Sequence, residues 1–125
     1  MTENNSAISE SLELATFIAK VIDDKQGQDI IVLPVGEVLG ITEYFVVTSA
    51  SNGRLVRAIS DAVLGSVREA TGRGPMRSEG TREQQWVLID YGDVVVHIFV
   101  DEARRFYEIE RLYKDIVPTP WASAQ

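Results

Sequence analysis

A handful of side chains in this 125-residue chain are of types that catalyse reactions, hold ions or anchor a partner. Asp90 and Asp93 flank Tyr91-Gly92 between two apolar runs, Trp86-Val-Leu-Ile and Val94-Val-Val-His-Ile-Phe. Paired carboxylates can hold a divalent cation for phosphoryl transfer. No third or fourth oxygen ligand stands near them, however, and Asp is common at hairpin tips for turn reasons, so no metal is expected. His97 is the only histidine, which rules out a multi-histidine site. A lone histidine on a strand is more often packed or hydrogen-bonded than a general base. Ser51-Asn52-Gly53 lies between a strand and a helix start, where free backbone N–H groups and the helix dipole can hold a phosphate. It lacks the lysine of a P-loop and the spacing of a dinucleotide fingerprint, so a capped helix start is the favoured reading. Trp86, beside Leu88 and Tyr91, has the composition of an interface hot spot, with Asp90 and Asp93 to steer it towards a cationic patch. The competing reading of Trp86 is an ordinary half-buried indole.

A β-hairpin must position most of these groups. If Asp90 and Asp93 pair across a two-residue Tyr91-Gly92 turn, Trp86 faces His97, and alternation sorts the side chains into two faces. Val87, Ile89, Val94, Val96 and Ile98 form one face, which can only be core. The other carries Trp86, Leu88, Asp90, Asp93, Val95, His97 and Phe99. Opposed carboxylates are destabilising, so this second face is exposed, neutralised by an arginine or kept for a partner.

The rest of the chain supplies the scaffold. Residues 1–8 read as a polar tail, residues 9–117 as a single domain and residues 118–125 as a second tail. Leu14, Phe17, Ile18, Val21 and Ile22 follow helical spacing from about Ser9 to near Gly27. Asp29 to Val35 and Tyr44 to Thr48 read as strands. A capped second helix buries Val56, Ile59, Val63, Val67 and Ala70 and turns Arg54, Arg57, Asp61 and Arg68 to solvent. Thr71 to Gln85 is polar loop with one short edge strand around Pro75 to Ser78. After Asp101, Phe106, Ile109, Tyr113 and Ile116 mark a third helix, stopped by Pro118 and Pro120. This order gives an α/β (α+β) fold with a mixed sheet of about five strands packed with helices.

Composition narrows the function classes. There is no cysteine, so disulfides and thiolate metal sites are excluded. The polar, acidic start carries no secretory pattern, and no stretch approaches the roughly 20 apolar residues of a membrane span. With 12 Lys and Arg against 19 Asp and Glu, the formal charge of -7 argues against DNA binding and suits a basic protein partner, though a charge that merely keeps a small protein soluble fits it equally well.

At these residues the chain resembles the ribosomal silencing factor, or Iojap-related, family from about Leu12 to Ile116. The resemblance rests on Lys25-Gln-Gly-Gln-Asp-Ile30, on Ser51-Asn52 to Asp61, and above all on Trp86 to Phe99 followed by Arg105-Phe-Tyr-Glu-Ile-Glu-Arg-Leu-Tyr113. It implies a nucleotidyltransferase-like fold without catalytic activity or cofactor, and a cytoplasmic translation repressor. Members are described as binding a basic large-subunit protein of the L-fourteen family at the face that meets the small subunit. Subunit joining is thereby blocked and translation falls under nutrient limitation; homodimers occur. Carried over by position, Trp86, Leu88, Asp90, Tyr91 and Asp93 are the expected partner-binding residues. Tyr113 stands where the family often has tryptophan, and Gly74 to Gln85 is individual to this chain. The alternative is a nucleotidyl or phosphoryl transferase using the Ser51–Gly53 loop and Asp90 with Asp93.

Overall fold

The computed structural model describes residues 2–80 and 84–122, with residues 2–9 in backbone only. The elements are α1 (Thr2–Asp24), β1 (Gln28–Pro34), α2 (Gly36–Leu39), β2 (Tyr44–Ala50), α3 (Gly53–Thr71), β3 (Arg77–Gly80), β4 (Trp86–Asp90), β5 (Val94–Val100) and α4 (Asp101–Tyr107), followed by a 3₁₀ turn (Ile109–Tyr113). The five strands form one mixed sheet in the order β1-β2-β5-β4-β3. β1 and β2 are antiparallel, β2 and β5 parallel, and β3, β4 and β5 an antiparallel meander.

Leu14, Ala15, Ile18, Ala19 and Ile22 are the buried stripe of α1; Val56, Ile59, Val63 and Val67 are that of α3. Both stripes pack on the sheet face formed by Val32, Val46, Val87, Ile89, Val94, Val96 and Ile98. Ala70, expected in the stripe of α3, is exposed near the end of the helix. At the α1–β1 junction Gly27 is required by space, since a Cβ there would collide with the Ile22 side chain and the Thr48 hydroxyl. The opposite sheet face holds a smaller cluster, Val47, Phe99 and Ala103, with Phe45, Trp86 and Ile109 packed against it.

Four expectations need correction. α1 begins at Thr2, well before Ser9. Polar residues each cost a helix little, and extension from a packed stretch avoids a new nucleus. The edge strand runs from Arg77 to Gly80 rather than from Pro75 to Ser78. The third helix breaks at Glu108, whose φ of 46° is left-handed, and Phe106 is 80% exposed instead of packed. The break lays Tyr113 against Phe45 at 5.5 Å between ring centroids, and Ile109 against the smaller cluster. Residues 118–122 are docked along the outer edge of β1 instead of forming a tail: Thr119 N–H donates to the Val32 carbonyl at 2.8 Å, and Trp121 Nε1–H to that of Ile30 at 3.2 Å.

Candidate functional site

The β4–β5 hairpin is closed one residue later than expected. Tyr91 N–H donates to the Val94 carbonyl at 2.9 Å, so Gly92 and Asp93 are the turn. Gly92 has a φ of 96°, and glycine at the first central position is the pattern of a type II′ hairpin turn. The Asp90 carboxylate braces it by accepting from the Gly92 N–H at 2.8 Å. The slip shifts the pairing by two residues, so the strand residues keep their faces while Asp93 leaves the second face for the turn: Trp86 lies opposite Phe99, Leu88 opposite His97, and Asp90 opposite Val95.

The five expected partner-binding residues do not share one face. Trp86, Leu88 and Asp90 project together from β4 on the face away from α1 and α3, all half-buried. Trp86 stacks on Phe99 at 4.9 Å and meets the Tyr107 ring at 4.8 Å. Its Nε1–H donates to His97 Nδ1 at 3.2 Å. The indole is therefore held in place, with Tyr107 extending its aromatic surface. Asp90 also accepts from Arg77 Nε at 3.4 Å.

Tyr91 points the other way. It is 2% exposed within the main core, and burial pushes its phenol pKa up against the pull of Arg73 and Arg68. Asp93 occupies the turn beside α1 and the end of α3. Its carboxylate accepts from Arg73 at 2.8 Å and from the Ser11 hydroxyl at 2.8 Å. Burial alone would raise this carboxyl, but the hydrogen bonds from Arg73 and Ser11 and the guanidinium charge hold it below the usual range. Asp93 thus ties three segments together. No feature of the sequence marked Arg73 as its partner, because the pairing depends on how α3 ends.

The transferase alternative is not assembled. Asn52 caps α3, accepting from the Leu55 N–H at 2.9 Å, as the plain helix-start reading expects. That loop follows Ala50, paired with Val100, whereas Asp93 precedes Val94, paired with Tyr44, at the opposite end of β2 and β5. Seven residues at about 3.3 Å each separate the two ends by roughly 20 Å. Among the described residues there is no group of three or more acidic or histidine side chains placed to hold a metal.

His97 is 6% exposed, and burial lowers its pKa to about 4. A neutral imidazole has one donor and one acceptor nitrogen. Since Nδ1 accepts from Trp86, the hydrogen bond assigns the proton to Nε2. Phe45 packs edge-on against the same ring at 4.7 Å.

Residues 8–124 match the family profile described as ribosomal silencing factor during starvation. The ribosomal silencing factor of Chromobacterium violaceum is 31% identical over 118 residues, spanning 89% of this chain and 96% of that protein. The Bacillus subtilis protein of the same name is 34% identical over 97 residues, 78% of this chain and 81% of its own length. A crystal structure of a Chromobacterium violaceum protein, 32% identical and covering 94% of each chain, superimposes with a TM-score of 0.76.

Proposed function

Starting from the fact that the chain belongs to the ribosomal silencing factor family, we propose that it represses translation by docking on the large ribosomal subunit and sterically blocking the small one. The observation that carries this reading is the unequal cover of the sheet. One face lies under α1 and α3, while the other leaves Trp86, Leu88 and Asp90 half-buried beside exposed Tyr107. A pre-ordered tryptophan with aromatic neighbours and an adjacent carboxylate is the usual makeup of a hot spot for a cationic partner. The partner is a basic protein at the subunit interface, of the L-fourteen family, and the formal charge of -7 favours the encounter. The setting is the cytoplasm, and the chain can pair as a homodimer. No catalytic step is part of this function.

Light scattering of purified large and small subunits mixed with the full chain tests the reading. The wild type reduces the joined fraction in proportion to its binding to large subunits. Trp86→Ala, checked for folding by its melting transition, loses roughly 2 kcal/mol of binding and most of the inhibition. Undiminished joining at saturating wild-type protein contradicts the proposal.

A further inference from the structure

A cavity of about 310 Å³ opens on the Trp86 side of the sheet, beside the β4–β5 turn. Phe45 and Leu88 line it, and Ile41 and Met76, 83% and 74% exposed, stand at its mouth. Thr42 and His97 also line it, each 6% exposed. Thr42 Oγ1 and His97 Nε2 have no hydrogen-bond partner among the described residues. Trp86, which engages the Nδ1 edge of the ring, is not part of the wall. Thr42 Oγ1 and His97 Nε2 are themselves closed off from solvent, so a ligand reaches them only as the residues at the mouth shift. Buried donors without acceptors are costly, and such groups gathered under an apolar opening suit a ligand that supplies what they lack.

The surroundings add a charge preference. Arg77 of the wall is shared between Asp90, also in the wall, at 3.4 Å and Glu79, outside it on β3, at 2.9 Å, which leaves one carboxylate in excess beside the cavity. That excess repels an anionic ligand and complements a cationic one. An N–H donor needs an acceptor, and the uncharged acceptor that every peptide segment presents is its backbone carbonyl.

Resting on the docking reading above, we propose that this cavity is the specificity pocket of the docking face. It takes one apolar side chain of the protein partner, from a segment in which that residue is flanked by Lys or Arg. His97 Nε2–H donates to a backbone carbonyl of the same segment, with the Thr42 hydroxyl as a second polar contact. Exposed Ile41 and Met76 shift as the side chain enters.

Titration of full-length variants against purified large subunits tests this, with urea melts alongside. Ile41→Glu puts a charge at an exposed position that the partner must bury, and weakens binding about tenfold or more at unchanged stability. Thr42→Val removes a hydroxyl that is unbonded in the free protein, so stability holds or rises while binding weakens severalfold. His97→Gln, which keeps an N–H near the Nε2 position, binds more tightly than His97→Leu. Wild-type affinity in Ile41→Glu or Thr42→Val, or equal affinity of the two His97 variants, overturns the pocket and leaves the docking reading standing. Variants that bind normally but lose self-association identify a second copy of this chain as the occupant, which also overturns it. Failure of the wild type to bind large subunits removes both readings.

Discussion

His97 illustrates how one buried side chain links stability to pH. Its folded pKa is about 4 against an ordinary 6.5, because burial disfavours the charged ring. Between these values the unfolded chain binds a proton that the folded chain does not, so stability rises with pH across that window. Acidification from pH 6.5 to 4 should therefore remove up to roughly 3 kcal/mol of unfolding free energy, read from urea melts at stepped pH. Below that window Asp93 adds a loss of the same sign. Its carboxyl is held below the usual range, so its contribution is present above the unfolded pKa and disappears as pH falls through the folded one. His97→Phe removes the higher-pH part of the slope, whereas a slope unchanged in that variant assigns it elsewhere. At this scale the sequence was legible in part. That His97 is packed and hydrogen-bonded follows from its lone position on an apolar strand; that its Nδ1 serves Trp86 required knowing the strand register. Asp93 was misplaced because one carboxylate of the pair belongs to the strand and the other to the turn.

The elements were legible wherever burial imposes a period. The α1 and α3 stripes, the two central strands and the two hairpin faces all follow from spacing, since a sheet covered on one side tolerates little else. Parity survived the one-residue turn slip for the same reason, while the choice between Tyr91-Gly92 and Gly92-Asp93 depended on the side-chain bond from Asp90 to the Gly92 N–H. The segment after β5 was misread because its apolar spacing fits a helix, yet contact with the sheet is reached only by turning at Glu108. A left-handed non-glycine residue there is strained, and glycine is favoured at this position after a helix. Glu108→Gly should raise stability by about 0.5–1 kcal/mol in urea melts. It gives up only an exposed ion pair with Arg111, which is worth little. A loss of stability instead shows that Glu108 contributes through contacts rather than strain.

At the scale of the molecule, one mixed sheet separates a thick hydrophobic core under α1 and α3 from a thinner layer under α4 and the 3₁₀ turn. The thin side leaves an aromatic surface, a small cavity and an excess carboxylate beside it, within an acidic chain. Sequence alone could not assign that side, because what leaves it thinly covered is the break in the last helix and the docking of residues 118–122 at the sheet edge. In the proposed docking, this side of the sheet, and not the α1–α3 side, meets the ribosome. Site-specific photo-crosslinking tests it most directly, with a benzophenone amino acid placed either at Tyr107, beside Trp86, or at Arg57, exposed on α3. With purified large subunits, docking by this side gives a crosslink to a single basic ribosomal protein from Tyr107 and none from Arg57. Crosslinking from Arg57 with none from Tyr107 contradicts it.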